Sequence, residues 1–303
     1  MPHPITLGDN KAIRDRVVSL TKEGLHRTSA TNIIFVCGGE GEDCLRPKFI
    51  EYMHSELTAY IPFKPEAAQE DYFEQDHEET LNLADFEELI SDLSLGIVLF
   101  AESPGSYAEV GLFSALEHAR KKTLVVLDAS FQGQGSFLAF GPVATISKHS
   151  RLGAAIQFNF TDPQFDLVRD RIKSRIPVPK TRRSIGDKKW GDLNSLEIMA
   201  LTWYFVKILR ACSLEDVIFL FNSAFSAHAS DNKIQEIVSV LVGADILTRC
   251  GPTNLLKLSQ KEVKLAEPSK SFEHSENALL LEINEIIEIH NDPNYLEALD
   301  YVG

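Results

Sequence analysis

The sequence predicts an α/β domain with a parallel sheet, followed by a second, mainly helical domain. Short apolar runs rich in β-branched residues alternate with helical patterns through the first half of the 303 residues. Beyond residue 190 the pattern changes to helices with one hairpin, and the two prolines of Ile176–Lys180 resist helix continuation between the two parts. A chain of this length is long enough for two domains.

The first half contains three predicted strands, which are short and apolar as in buried parallel sheets: Asn32–Cys37, Leu95–Phe100 and Thr123–Asp128. The apolar spacing predicts helices at 46–59, Leu81–Leu93 and Ala108–Arg120. Ligands of such sheets bind at the carboxyl ends of the strands. Three loops are therefore expected to converge on one cleft: Cys37–Asp43, Ala101–Tyr107 and Asp128–Phe140.

The second half begins with a helix whose apolar residues have core-facing spacing: Leu193, Leu196, Met199, Trp203, Val206 and Leu209. Two further helices are predicted at Ser213–Phe225 and Asp231–Ala244, with their first residues as N-caps. A hairpin with strands Ile246–Cys250 and Leu255–Ser259 follows, and this order of elements predicts a winged helix. The amphipathic segment Asn277–His290 has an apolar face that either serves assembly, as in a homo-oligomer, or is buried in its own domain.

Charge is unevenly distributed along the chain. Residues 1–150 carry 12 basic and 23 acidic side chains, a net charge of −11. Residues 191–303 carry 8 and 17, a net charge of −9, whereas residues 151–190 carry 10 and 4, a net charge of +6. The basic segment contains the candidates for contact with nucleic acid or a protein partner: Arg169, Arg171, Lys173, Arg175, Arg182 and Arg183. The alternative is that these side chains offset the acidic first domain or line a solvated helix.

The predicted recognition helix is a poor surface for duplex phosphates, because Lys233 is its only cation. We therefore expect protein contacts there, or a limited wing contact through Arg249 and Lys257.

Other features argue against membrane, disulfide and metal-binding classes. The longest apolar runs are too short for a bilayer helix, and the N-terminus lacks the pattern of a signal peptide, so a cytoplasmic protein without membrane contact is expected. The four cysteines form no CxxC pair, which predicts reduced, mostly packed thiols and no metal site. The acidic run Glu66–Glu79 is interpreted as a solvated loop, with Tyr72 and Phe73 as part of a mobile lid.

The segment Glu102–Gly111 leaves a predicted strand, turns at Pro104-Gly105 and enters a helix. Glu109 is expected in the first helical turn, where the helix dipole favours its ionised, nucleophilic form. The alternative is a structural capping box, in which Ser106 or Ser103 caps the helix and Glu109 is the partner of Ser106.

The glycines of Cys37-Gly38-Gly39 form either a cradle for a phosphate or a sugar, or a simple tight turn. The usual dinucleotide and nucleoside-triphosphate fingerprints are absent from this segment.

Together these elements resemble the nucleoside 2-deoxyribosyltransferase-like fold, a Rossmann-like family. They resemble more closely the effector proteins of bacterial retrons, in which this domain is fused to a winged helix. The resemblance covers residues 30–145 and rests on three segments: Phe35–Gly39, Val98–Ser114 and Gln134–Val143. It implies a catalytic domain of this class at 1–160, a basic connector at 161–190 and a winged-helix domain with a C-terminal helix at 191–303.

By this resemblance Glu109 matches the catalytic nucleophile of the family, a carboxylate that attacks the anomeric carbon. Glu102 and Asp85 are the nearest candidates for assisting carboxylates, which contact the sugar and protonate the leaving base. Substrate contacts are implied for the glycine loop and the second turn: Cys37, Gly38, Gly39, Ser103, Gly105 and Ser106.

The implied function is that of a toxic effector in a retron antiphage defence system. It would hydrolyse the N-glycosidic bond of NAD, with NAD as substrate and no cofactor. A retron reverse transcriptase and its RNA-linked DNA (msDNA) would be its partners and would hold it inactive. Two rivals are a nucleoside deoxyribosyltransferase or nucleotide N-glycosidase of salvage, and a nucleotide-sensing winged-helix regulator.

Overall fold

The computed structural model describes residues 2–28, 30–74, 82–131, 135–225 and 229–300, without the side chain of Asp300. The strands in chain order are β1 (Leu25–Thr28), β2 (Ile33–Cys37), β3 (Ile61–Phe63), β4 (Gly96–Phe100), β5 (Thr123–Asp128), β6 (Ile156–Phe158), β7 (Arg182–Ser184), β8 (Leu247–Cys250), β9 (Leu255–Leu258) and β10 (Ala266–Pro268). The helices are α1 (Lys11–Ser19), α2 (Leu45–Glu56), α3 (Pro65–Phe73), α4 (Leu83–Leu93), α5 (Pro104–Ala115), α6 (Glu117–Arg120), α7 (Ala144–His149), α8 (Phe165–Arg175), α9 (Ser195–Leu209), α10 (Leu214–Phe225), α11 (Asp231–Gly243), α12 (Glu273–His290) and α13 (Pro293–Asp300).

The chain forms two compact units whose boundaries differ from the predicted ones. Among the described residues, 30–65 and 82–179 form an α/β unit, whereas 2–28, 66–74 and those from 180 onward form a second unit. The predicted connector 161–190 is therefore not a separate segment. Its first part contains α8, which packs against α2, and its last part contributes β7 to a sheet of the second unit.

The α/β unit is built on a five-stranded sheet in the order β3-β2-β4-β5-β6, in which every pair is parallel. The three predicted strands are confirmed to within one residue at their ends, as β2, β4 and β5. Nearly all their side chains are buried, which explains why the sequence shows them as continuous apolar runs.

Helices cover both faces of this sheet. On one face the ring of Phe49 in α2 lies 5.3 Å from that of Phe100 in β4, and on the other the ring of Phe35 in β2 lies 5.9 Å from that of Phe113 in α5. The predicted α/β class is thus confirmed, and the arrangement is compatible with a Rossmann-like fold.

The second unit surrounds helix α9. Its side chains from Glu197 to Leu209 are buried, apart from the half-buried Lys207, so this helix is central rather than one-sided. An antiparallel sheet in the order β10-β1-β7 belongs to the same unit. Three strands of this unit, β1, β7 and β10, were not predicted.

The predicted order of two helices and a hairpin is present in the second unit as α10, α11, β8 and β9. The hairpin pairs Leu247 with Leu258 and Cys250 with Leu255, as the turn at 251–254 predicts. The N-cap of α11 is Ser230, whose hydroxyl accepts a bond from the Lys233 amide at 3.3 Å, and not Asp231. The winged-helix assignment stays a prediction.

The apolar face of α12 is buried within its own unit. Leu279, Ile283 and Ile287 are each at most 2% exposed, and the helix packs against α1, α9 and the turn Pro4–Thr6. Burial within the domain, one of the two alternatives for this face, is therefore confirmed for these side chains. No helix in the described part of the chain is both long and apolar enough to cross a bilayer.

The acidic run after β3 is not a solvated loop, because residues 65–73 form helix α3. Asp71 is buried and accepts bonds from Arg249 Nε at 2.5 Å and from Ser239 Oγ at 2.7 Å. Tyr72 is also buried, so the lid interpretation is wrong for this residue, whereas Phe73 is exposed. Residues 75–79 of the run lie outside the described residues.

The two cations of the predicted wing contact have partners within the second unit. Arg249 is engaged by Asp71, and Lys257 donates bonds to the carbonyl oxygens of Ala298 and Leu299 at 2.9 and 2.8 Å. All four cysteines are free thiols, and three of them are buried, as predicted: Cys37, Cys212 and Cys250.

Candidate active site

The loops that follow β2, β4 and β5 lie at one edge of the α/β sheet. The three strands are parallel neighbours, so their carboxyl ends point to the same side. Helix α5, which follows β4, packs against the helical turn Ala139–Val143, which follows β5. Residues 132–134, including Gln134 of the motif, lie outside the described residues.

Helix α5 begins with a capping box formed by two serines. Ser103 is the N-cap, and its hydroxyl accepts a bond from the Ser106 amide at 3.2 Å. In return the Ser106 hydroxyl accepts bonds from the amides of Ser103 at 2.9 Å and Glu102 at 3.0 Å. These two predicted substrate contacts thus shape the strand-to-helix turn.

Glu109 is the sixth residue of α5, one turn further along than predicted. It is not in the first turn, and the predicted box between Ser106 and Glu109 is replaced by the box between the two serines. Its side chain is half-buried, and its Oε2 atom is shielded from solvent. Helix capping therefore does not explain why a glutamate stands at this position.

Glu102 connects the loops that follow β2 and β4. Its carboxylate accepts bonds from the backbone amides of Gly39 at 3.0 Å, Leu45 at 2.7 Å and Arg46 at 3.2 Å. The structure therefore gives Glu102 a structural role at the N-terminus of α2, which the sequence interpretation missed. The signal for it was a carboxylate placed directly after a buried strand, beside a glycine loop and a helix start.

The two loop glycines are required by this close packing. Gly38 has φ +157°, and a Cβ there would lie 2.7 Å from Glu102 Oε1. A Cβ at Gly39 would lie 2.4 Å from the sulfur of Cys44. Contacts within the chain thus explain both glycines, which favours the tight-turn interpretation.

Gly105 and Gly111 differ from the loop glycines. A Cβ at Gly105 would have Ser103 Oγ as its nearest neighbour, at 3.9 Å, and one at Gly111 would meet no described atom within 4 Å. Contacts within the described chain therefore do not require glycine at these positions.

Asp85 lies in the first turn of α4 and is exposed. Because α4 connects the parallel strands β3 and β4, its N-terminus is at the sheet edge where the strands end. Asp128, at the end of β5, accepts a bond from the Ser130 amide at 2.9 Å, and this bond lowers the pKa of the Asp128 carboxyl. Asp128 thus orders its own loop.

The predicted basic contact residues are divided between the two units. Arg169, Arg171, Lys173 and Arg175 lie on α8, whereas Arg182 and Arg183 lie on β7.

Three of the six already have partners within their own unit. Arg169 pairs with Asp166 at 2.6 Å, Arg171 donates to the carbonyl oxygen of Leu152, and Arg182 pairs with Glu267. The other three are exposed: Lys173, Arg175 and Arg183.

Two curated proteins of Escherichia coli are similar to part of the chain. The "Retron Ec86 putative ribosyltransferase/DNA-binding protein" is 32% identical over 132 residues, which cover 43% of this chain and 42% of that protein. The protein of the same description from retron Ec73 is 28% identical over 122 residues, 39% of either chain. The matched region thus spans about two fifths of the length of each relative.

A family comparison covers more of the sequence. Residues 42–249 match the model of the STM3845 retron effector protein family; this range includes Glu102 and Glu109 and begins after Gly38 and Gly39. Because the match extends over more than half of the 303 residues, the chain belongs to the family of STM3845 retron effector proteins.

Proposed function

We propose that this retron effector is a toxin that cleaves the N-glycosidic bond of NAD, with Glu109 as the nucleophile. The observation that carries the proposal is the position of Glu109. It is a half-buried carboxylate on the helix after β4, at the sheet edge where the parallel strands end, and the cap of that helix does not use it. The names of the two relatives, which include ribosyltransferase, support glycosyl transfer as the reaction class.

The chemistry needs one carboxylate and one water molecule. A carboxylate oxygen of Glu109 attacks the anomeric carbon, and the bond from that carbon to the nicotinamide nitrogen breaks through an oxocarbenium-like transition state. The bonding electron pair stays on nicotinamide, which leaves as a neutral base. Water then attacks the anomeric carbon, the bond from that carbon to Glu109 breaks with its electron pair on the carboxylate, and the sugar keeps the hydroxyl group while one proton is released to solvent.

The exposed position of Asp85 agrees with this choice of substrate. A purine or pyrimidine leaving from a nucleoside needs a proton, so a salvage transferase requires a buried or well-positioned acid. The nicotinamide ring of NAD is a cationic pyridinium, so it becomes neutral when it takes the bonding electron pair and needs no proton to leave. An exposed Asp85 is therefore less of an obstacle to NAD cleavage than to base exchange.

We further propose that a reverse transcriptase and its RNA-linked DNA restrain the enzyme in the cytoplasm. Lys173, Arg175 and Arg183 are exposed and are the proposed contacts for nucleic acid. We assign α10, α11 and the hairpin β8–β9 to a winged helix that contacts protein, because Arg249 and Lys257 are engaged within the unit.

Nicotinamide release from NAD tests the proposed reaction. The protein is purified alone and with its retron reverse transcriptase and RNA-linked DNA, and the products are identified by mass spectrometry. We expect Glu109→Gln to abolish release, whereas Glu51→Gln, a neutralised exposed glutamate of α2 in the same unit, keeps it. Full release by Glu109→Gln would remove Glu109 from the mechanism. Release of free bases from deoxynucleosides, with NAD left intact, would favour the salvage alternative.

A further inference from the structure

The loop between β2 and α2 has the parts of an anion-binding site. A buried strand ends at two glycines, and a helix of 12 residues begins a few residues later. The backbone amides of Gly39, Leu45 and Arg46 all donate hydrogen bonds to a single acceptor group in this loop. Phosphate groups commonly bind to such a combination of glycine loop and helix N-terminus, because the amides and the helix dipole favour negative charge.

In this chain the place is taken by the carboxylate of Glu102. Oε1 accepts bonds from the amides of Gly39 and Arg46, and Oε2 accepts the bond from Leu45, the shortest of the three at 2.7 Å. The side chain arrives from the end of β4, so the neighbouring strand supplies an anion to the loop after β2.

The fit around this carboxylate is tight. A single methyl group at Gly38 would come within 2.7 Å of Glu102 Oε1 and 2.9 Å of the Cβ atom of Arg46. The space beside Gly38 is therefore filled by the Glu102 carboxylate and the side chain of Arg46. A phosphate at the amides would have to displace the carboxylate, and one beside it would be repelled by its charge.

We propose that Glu102 is an internal anion that excludes phosphate from the glycine loop and so determines which part of a ligand lies there. A group that a ligand presents to this loop is therefore neutral or cationic, not anionic. Resting on the proposed function, the inference also means that the pyrophosphate of a dinucleotide substrate lies elsewhere along the sheet edge. Glu102 is thus a specificity and positioning residue.

Inorganic phosphate is the probe for the test. Titration calorimetry measures its affinity for the full-length wild type, for Glu102→Ala and for Glu51→Ala, which removes the same charge from an exposed site on α2. We expect Glu102→Ala to bind phosphate at least about tenfold more tightly than the other two proteins, a difference of roughly 1.4 kcal/mol. Amide NMR signals of Gly39, Leu45 and Arg46 should shift with phosphate only in Glu102→Ala.

Two results would overturn the inference. One is wild-type protein that binds phosphate at these three amides as tightly as the variant does. The other is a folded Glu102→Ala that binds phosphate no better than Glu51→Ala. If circular dichroism shows that Glu102→Ala is unfolded, Glu102→Ser, which also removes the carboxylate from the three amides, replaces it; a gain in phosphate affinity over wild type supports the inference, and no gain contradicts it.

The readout separates this inference from the proposed reaction. Phosphate binding is measured without NAD and does not depend on the reaction of Glu109, so a failure of nicotinamide release leaves the phosphate result valid. Conversely, an unchanged phosphate affinity in the variants contradicts the role of Glu102 even if NAD cleavage is found.

Discussion

His3 is held as a neutral imidazole at the centre of the second unit. Its side chain is fully buried, with Nε2 3.1 Å from the Leu209 carbonyl oxygen and Nδ1 accepting the Ile5 amide at 3.1 Å. Both ring nitrogens thus form hydrogen bonds when the imidazole is uncharged and carries its proton on Nε2. Burial lowers the pKa of His3 from 6.5 to about 4, and the nearby Asp216 opposes this shift, whereas His290 adds to it.

This pKa predicts that acid destabilises the second unit. Between pH 6.5 and about 4 the unfolded chain binds a proton at His3 that the folded chain does not bind. The free energy of unfolding therefore falls as the pH falls through this window, by about 3 kcal/mol in all for this group. Urea unfolding at pH 7 and pH 5 should show a larger loss in the wild type than in His3→Gln. Equal losses in both proteins would contradict the assignment.

At the scale of elements, the start of α5 depends on Ser106. Its buried hydroxyl accepts two backbone amides and supports the turn between β4 and the helix that carries Glu109. We expect Ser106→Ala to lower the free energy of unfolding by roughly 1–2 kcal/mol, because two amides lose their acceptor. Ser114→Ala, in which the lost hydroxyl donates to a carbonyl oxygen of the same helix, is the control and should change stability less. Equal effects in urea unfolding would argue against the box.

Helix α3 is attached to the second unit by a buried ion pair. The side chains of Asp71 and Arg249 are 5% and 13% exposed. The backbone of Ala68 in α3 also packs closely against Gly243, where a Cβ atom would lie 2.7 Å from the Ala68 nitrogen. Asp71→Asn should destabilise the unit by about 3–5 kcal/mol, since it leaves a buried guanidinium uncompensated. Glu70→Gln, on the exposed side of the same helix, should have little effect on the urea midpoint. If Asp71→Asn changes the urea midpoint as little as Glu70→Gln does, the prediction is wrong and the ion pair does not hold α3 in place.

Some strands could be predicted from the sequence because the pattern that indicates them lies within a few consecutive residues. Strands β2, β4 and β5 are runs of consecutive buried residues, and the hairpin β8–β9 has a recognisable turn between apolar strands. In contrast, β3 has three residues and contains Pro62, so its pattern is too short to predict a strand. Strand β1 pairs with β7 and β10, which are more than 150 and 230 residues away, and no local pattern contains this information.

The same difference applies to the candidate site. Glu109 became the candidate nucleophile on the basis of a continuous segment around one turn, and its position in the helix was predicted one turn too early. The role of Glu102 was missed because the amides it binds are 56 to 63 residues away in sequence. Long-range contacts of this kind depend on the order of the strands, which propensities do not determine.

For the whole molecule, the chain passes repeatedly between the two units, which explains why a linear division into domains differs from the observed one. Residues 2–28 and most of α3 belong with the C-terminal half, and the basic segment is divided at residue 180. Exposed cations therefore stand on both units: Lys173 and Arg175 on α8, and Arg183 on β7.

Contact between the exposed cations and nucleic acid leads to a prediction about salt dependence for each unit. Each lost phosphate contact reduces the slope of log affinity against log salt concentration by about 0.7 for single-stranded DNA. The double variant Lys173→Gln/Arg175→Gln should thus reduce the slope by roughly 1.4, and Arg183→Gln by about 0.7. Fluorescence anisotropy with a labelled single-stranded oligonucleotide over a range of NaCl concentrations measures these slopes.

Because the two groups of cations belong to different units, each group is tested by its own variant. The matched control is Lys64→Gln/Lys121→Gln, which removes two exposed cations of the α/β unit outside α8 and should leave the slope unchanged. If only the α8 variant changes the slope, the nucleic acid binds the α/β unit alone. If neither group changes it, these cations offset the acidic charge of the chain, and restraint of the effector must depend on protein contacts.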